Sequence, residues 1–343
     1  MQDRGGSPAR REPAQWLRHR QRLLERGLLT ERPDRGPAPS SGVAGFRLSV
    51  GGVEYSCRGE GLSFLQEPDD AYRDFLDAPG RDDLIRVDVR LELVPRPSFE
   101  GETIFRSDAK WSLLARGEER GFVHADGASA VPRYVARFRP GVAEVTIECS
   151  AALVAPAGGG RAIRSPLRYP LDQVLTMYAL AGKGLLVHAA GLDRGGRGLA
   201  FPGVSGAGKS TFARLAGARP GWSPLSDDRV VVRVEPGDAC LHGTPWAGSG
   251  RVAERRSVPA EGLLFLEKGA SNEVRRISPA ECLKRLLPVV SVPWFDRDVA
   301  GAGLETCERV ARAVPAAVLT FRPDVGAVEA AERFLEGGAG LQR

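Results

Sequence analysis

An α/β domain built around a phosphate loop, with a smaller β-rich domain ahead of it, is the architecture this sequence predicts. Three observations carry that expectation. Residues 43–165 alternate apolar and polar side chains at the period of strands, punctuated by glycine turns. Residues 166–335 alternate short apolar runs with segments of helical spacing. At one junction of run and segment stands Gly203-Val-Ser-Gly-Ala-Gly-Lys-Ser-Thr211, which fits the pattern G-x-x-x-x-G-K-[ST].

Residues 1–42 read as a flexible basic appendage. Ala14–Arg26 has the spacing of one short amphipathic helix, with Trp16, Leu17, Leu23 and Leu24 apolar, and Thr30–Gly42 is a Pro-, Gly- and Ser-rich linker. In the β-rich part, Phe46–Val50 and Val53–Cys57 flank Gly51-Gly52, the signal of a hairpin with a two-residue turn. Strict alternation over Leu84–Leu93 puts Ile85, Val87, Val89, Leu91 and Leu93 on one face. Arg133–Phe138 and Val142–Cys149, joined by Arg139-Pro-Gly141, predict a second hairpin, and His124 is expected at the surface. Beyond Pro166, Pro170–Ala181 predicts a helix that buries Leu171, Val174, Leu175 and Tyr178. Strands are expected at Leu185–Ala190, Leu199–Phe201, Val230–Val234, Leu263–Leu266 and Ala316–Phe321, with helices at Lys209–Ala216, Pro279–Leu287 and Glu305–Ala313.

Composition narrows the function classes. Hydrophobic residues make up 42% and charged residues 27%, the balance of an ordinary globular protein, and no run approaches the roughly 18 apolar residues of a membrane span. The net charge of +5 is uneven: residues 1–40 hold nine arginines against five acids, or +4, which leaves about +1 for the rest. That is not the footprint of a nucleic-acid-binding core. The five scattered cysteines match neither a disulfide framework nor a CxxC metal site, and the arginine-rich first thirty residues lack the apolar core of a signal peptide, so a cytoplasmic location is expected.

The loop motif has a direct physical reading. Gly203, Gly206 and Gly208 allow the main-chain N–H groups from Ser205 and Ala207 through Thr211 to turn inward around phosphate oxygens, at a helix start that favours anions. Lys209 is placed to reach the β- and γ-phosphates of ATP, and the Ser210 hydroxyl to hold Mg2+. Only five of the 48 basic residues are lysines, which puts a chance match on the order of one per cent. Asp227 and Asp228 follow the loop, at the edge of the apolar run Val230–Val232. Two adjacent carboxylates there suit two tasks: one binds the metal directly or through water, the other takes a proton from an attacking hydroxyl. His188 sits inside the apolar run Leu185–Ala190, twenty-one residues before Lys209.

The order of histidine-bearing strand, GxSGxGKS loop and Asp-Asp pair resembles the catalytic domain of bacterial HPr kinase/phosphorylase, which shares its core with ATP-dependent phosphoenolpyruvate carboxykinase. The resemblance covers roughly residues 170–270 and extends in part to 325. It implies a P-loop kinase domain of that type in which Asp228 is the general base, Asp227 lies near the metal, Lys209 stabilises the transferring phosphoryl group and His188 donates a hydrogen bond beside the phosphates. The implied partners are ATP, Mg2+ and a hydroxyl-bearing acceptor: a protein or peptide serine, or a small molecule.

The chain also departs from that family. The later Glu-x-x-x-Arg-Gly-type signature has no counterpart. In its place stand His242-Gly-Thr-Pro-Trp-Ala-Gly248, Arg251 and the pair Arg255-Arg256. The turn either walls an acceptor pocket or is a tight turn packed by Trp246, and Arg251 is a candidate for phosphate contact. A non-catalytic nucleotide-binding regulator or an ATPase is the alternative, weakened because only Pro224-Leu-Ser226 precedes Asp227 where such ATPases carry four apolar residues. Carboxykinase chemistry ranks lowest, for want of arginines to hold a dicarboxylate. The β-rich part is read as an acceptor-recognising surface or as a homo-oligomer contact.

Overall fold

The computed structural model describes residues 44–65, 71–77, 84–107, 110–125, 131–157, 160–235 and 237–338. The segment 1–42 and its expected helix lie outside the described residues. Two large sheets organise the rest.

The first sheet takes its strands from residues 45–149. It holds β1 (Gly45–Val50), β2 (Val53–Gly59), β4 (Ile85–Leu93), β5 (Glu102–Arg106), β6 (Trp111–Arg116), β7 (Glu119–Ala125), β8 (Pro132–Phe138) and β9 (Glu144–Cys149), in the order β1-β2-β4-β9-β8-β7-β6-β5. β2, β4 and β9 run parallel, and the other pairs are antiparallel. Both expected hairpins form, with Val50 opposite Val53 and Phe138 opposite Val145. At the first turn Gly51 and Gly52 have φ +59 and +81, the two left-handed conformations a type I′ turn needs. In β4, Val87, Val89 and Leu91 are buried while Arg86, Asp88, Arg90 and Glu92 face out, as the alternation predicts. His124 departs from expectation: it is half-buried and stacks on Tyr134, ring centroids 4.9 Å apart. β10 (Val154–Ala157), β11 (Gly160–Arg164) and β3 (Ser63–Leu65) form a small three-stranded sheet in that order.

Helix α1 (Leu171–Ala179) buries Leu171, Val174, Leu175 and Tyr178, in the same core as Leu48, Tyr55 and Val87 of the first sheet. Although it follows residue 165 in the chain, α1 is thus the floor on which the first sheet rests. Tyr55 and Thr176 share a hydrogen bond of 2.8 Å across that contact.

The second sheet, nine-stranded, holds β12 (Gly184–Arg194), β13 (Gly198–Pro202), β14 (Trp222–Ser226), β15 (Arg229–Glu235), β16 (Asp238–Gly243), β17 (Ser257–Lys268), β18 (Glu273–Arg276), β19 (Val290–Ser291) and β20 (Ala316–Phe321). Two long strands change partners along their length. β12 pairs with β15 over Gly184–His188 and with β13 over Ala189–Asp193, while β17 pairs with β16 near its start and with β20 from Leu263 onward. Helices α2 (Lys209–Ala216) and α5 (Val325–Gly338) share one core with Leu264, Leu266, Ala317 and Leu319. Helices α3 (Pro279–Leu286) and α4 (Arg297–Ala313) share another with Leu263, Phe265, Ala316 and Val318. Successive residues of β17 and β20 therefore feed opposite cores, which is why these strands read as unbroken apolar runs. α4 begins eight residues before its expected start at Glu305. Gly301 and Gly303 lower the local helix propensity, but Gly303 is where the helix touches the Val292 side chain, leaving no room for a Cβ.

Candidate phosphate-binding site

β13 ends at Pro202, and the chain then makes a loop over residues 203–208 before α2 starts at Lys209. Gly206 and Gly208 have φ +85 and +106. A Cβ on Gly208 would also lie 2.6 Å from the Phe321 ring, so glycine is required there twice over. Gly208 caps α2 without any side-chain hydrogen bond, and the first turn contains no acid. The helix-start amides are thus left for an external anion. Ser205, Gly206 and Ser210 are exposed, Ala207 and Thr211 half-buried.

Lys209 is buried, and its ammonium lies folded back on the loop. Nζ donates to the carbonyls of Gly203 at 2.5 Å and Val204 at 3.2 Å, and lies 3.1 Å from His188 Nε2. β12 places His188 there. It pairs with Arg229 of β15, and its carbonyl accepts from the Gly203 amide at 3.1 Å. The same Nε2 lies 3.2 Å from Asp228 Oδ1, and Asp228 Oδ2 lies 3.4 Å from Arg229 Nε. One ring nitrogen thus faces an ammonium and a carboxylate. It accepts from Lys209 or donates to Asp228, and cannot do both at once. Burial, then the charges of Lys209 and Arg229, hold the His188 pKa below its ordinary value against the pull of Asp228, which favours the neutral ring near pH 7. Burial likewise lowers Lys209.

Adjacent in sequence, Asp227 is held differently. Its Oδ1 accepts from the amides of Gly248 at 2.8 Å and Val252 at 3.3 Å, and its Oδ2 from Gly250 at 2.5 Å. Burial raises its pKa, opposed by these three donors. Three of the roughly four lone-pair sites of a carboxylate are therefore spent on the chain itself. The expectation that Asp227 lies near a metal is narrowed accordingly, to contact through its remaining lone pair or through water.

Of the other residues singled out in the sequence, Trp246 is buried and its indole N–H donates to Asp172 Oδ2 at 3.0 Å. The turn is thus packed by Trp246. Thr244, fully buried, donates to the Arg229 carbonyl at 2.7 Å. Arg251 is exposed with φ +54, and Arg256 pairs with Asp193 at 3.0 Å. Sequence reasoning missed Arg229 as a site residue and missed the amides of 248–252. The first carried a signal, a basic residue directly after the acids; the second carried none, since backbone donors have no residue type.

The residues fit a nucleoside triphosphate: an uncapped helix start, two left-handed glycines and an ammonium at one loop. For a metal ion, no group of three or more His, Cys, Asp or Glu side chains occurs among the described residues. Magnesium at a phosphate loop does not need one, because it keeps water and uses substrate phosphates with one or two protein oxygens. No helix among the described residues is long and apolar enough to cross a membrane. The chain matches no known protein-family model, and no curated protein is significantly similar to it.

Proposed function

We propose that this chain is an ATP- and magnesium-dependent phosphotransferase that moves the γ-phosphate to a hydroxyl acceptor, in the manner of HPr kinase. The observation that carries this reading is the meeting of Lys209, His188 and Asp228 within 3.1–3.2 Å at the mouth of the loop. A phosphate loop alone suits any nucleotide-binding protein. A half-exposed carboxylate beside the loop lysine is what a hydroxyl acceptor requires.

In this mechanism the loop amides and the α2 start hold the triphosphate. Lys209 leaves the carbonyls of Gly203 and Val204 for the γ-phosphate oxygens, where its charge offsets the negative charge that develops in transfer. Asp228 takes the proton of the attacking hydroxyl, and His188 and Arg229 hold its two oxygens in orientation. Ser210, with Asp227 through its spare lone pair or water, would hold magnesium, which would supply charge neutralisation of the phosphates. The protein is expected to act in the cytoplasm, on a protein or peptide serine or on a small molecule.

The test is incubation with γ-labelled ATP and a lysate of the source organism, followed by identification of the labelled species. Lys209→Ala and Asp228→Asn are expected to abolish transfer, Asp228→Asn by roughly 10²–10⁴-fold, the usual share of a general base. Full activity in Asp228→Asn would remove the base assigned here. Hydrolysis of ATP with no labelled acceptor under any condition would favour an ATPase or a nucleotide-dependent regulator.

A further inference from the structure

The loop 244–252 grips the acidic pair on both flanks. Ahead of Asp228, the amides of Gly248, Gly250 and Val252 hold the Asp227 carboxylate; behind it, the Thr244 hydroxyl holds the Arg229 carbonyl. The fit leaves no slack. A Cβ on Gly250 would fall 2.5 Å from Asp227 Oδ2, and one on Gly248 would fall 3.0 Å from Asp228 Cβ.

Midway along this loop, Trp246 ties it to a residue of another element. The indole N–H donates to Asp172 Oδ2, and Asp172, fully buried in the first turn of α1, takes a second hydrogen bond on that oxygen from the Tyr72 hydroxyl at 2.8 Å. Its Oδ1 accepts from the Gln173 amide at 2.8 Å. A buried carboxylate is costly in an apolar core, and packing alone would be served by an apolar residue. What the carboxylate adds is direction: two donors from separate parts of the chain converge on one oxygen.

The geometry points to Asp172 and Trp246 as positioning residues for the site. Together they fix the height of the 244–252 loop against α1, and through the loop they set where Asp228 meets His188. The functional meaning rests on the reading of Asp228 as the acceptor base. The mechanical claim stands on the hydrogen bonds alone. It also gives the first sheet, which contacts α1, a physical line to the chemistry.

The experiment follows the His188 imidazole 15N resonances at fixed pH, assigned with His188→Gln, because those nitrogens report the contact with Asp228 directly. Gly250→Ala, which forces the Asp227 clamp apart, is expected to move them. Trp246→Phe keeps an aromatic side chain but loses the N–H donor together with part of the indole volume, and is expected to move them in the same direction; Asp172→Asn, which leaves the indole in place and changes only the acceptor group, is expected to do likewise. Tyr72→Phe removes a donor from the same carboxylate without touching the loop and is expected to leave them unchanged. Phosphoryl transfer by Trp246→Phe should fall roughly ten- to 10²-fold, the scale for misplacement of about 1 Å, with Mg-ATP affinity by calorimetry unaltered. The inference is overturned if His188 does not respond to Trp246→Phe, or responds equally to Tyr72→Phe. Failure of the wild-type protein to bind Mg-ATP would instead overturn the nucleotide reading and leave the His188 result intact.

Discussion

Two of this molecule's clusters of opposite charges differ in burial, and burial separates their roles. Where the first sheet meets the start of α4, Arg120 closes on Asp296 through Nε at 2.6 Å, with both side chains 3% exposed. It also pairs with Asp298, while the Tyr178 hydroxyl donates to Asp296 at 2.6 Å. Beside the 203–208 loop, His188 and Asp228 meet at 3.2 Å with 23% and 36% exposure. In the first cluster all three guanidinium nitrogens of Arg120 and both carboxylate oxygens of Asp296 are committed to partners in the chain. The second shares one ring nitrogen between two partners and is open to water. Saturated charges hold elements together, whereas under-committed charges at a surface are available for a ligand.

That contrast makes its strongest prediction at Arg120. Burial pushes the Asp296 carboxyl up, but the hydrogen bonds from Arg120 and Tyr178 outweigh it and hold the pKa below the ordinary range. Removing the guanidinium leaves a buried carboxylate without its counter-charge, so Arg120→Ala is expected to cost about 3–5 kcal/mol in chemical denaturation. The depressed pKa means that the native stabilisation is present above the ordinary carboxylate range and is lost as pH falls through the lowered value. The Arg120→Ala deficit should therefore shrink in acid. A loss under about 1 kcal/mol at neutral pH would place this cluster with ordinary surface pairs and break the comparison.

Much of the fold was legible because its signals are local. The Gly51-Gly52 turn, the alternation in β4 and the helical spacing of α1 each fit within ten residues. The loop at 203–208 was legible for the same reason, its glycines and lysine being fixed by conformation and charge at adjacent positions. What could not be read depends on distant chain. The expected helix at Glu305–Ala313 falls short of α4, whose first turns carry Gly301 and Gly303, and only the contact of Gly303 with Val292 shows why that segment belongs in the helix. Asp172 stands where an amphipathic helix accepts any polar residue, and its partners Tyr72 and Trp246 lie 100 and 74 residues away. The resemblance gives Asp227 and Asp228 separate tasks, but the three amides that grip Asp227 could not be read, since only the folded loop decides which carboxylate they take.

Asp172 belongs between the two clusters, and its pH dependence sharpens their contrast. Burial raises its pKa from 3.8 to about 6, in spite of the hydrogen bonds from Tyr72 and Trp246. The folded state thus holds this proton more tightly than the unfolded chain. Stability from this group is greatest below pH 3.8, falls as pH rises toward 6, and stays reduced above it. The shift corresponds to about 3 kcal/mol. Asp172→Asn cannot titrate, so its stability relative to the wild type should improve between pH 4 and pH 7 by an amount of that order, measured by denaturant unfolding at each pH. A difference that stays flat across the window would show that Asp172 does not change charge there. Such a result would move Asp172 into the class of saturated, permanently ionised groups represented by Asp296.

The smallest expected effect on stability tests the other half of the comparison. Asp228 touches His188 and Arg229 at 3.2 and 3.4 Å, but it is 36% exposed, so solvent screens both contacts. Pairs of this kind contribute roughly 0–1 kcal/mol, and Asn is close to Asp in shape. Asp228→Asn should therefore unfold within about 1 kcal/mol of the wild type even though transfer is lost. A variant that is both inactive and strongly destabilised would mean that Asp228 helps hold the fold and that its exposure conceals a structural role. A variant more stable than the wild type would indicate that the folded protein bears a cost for the carboxylate at this position. Relief of that kind is expected where like charges, strain or exposure are kept for chemistry and the rest of the chain carries the cost.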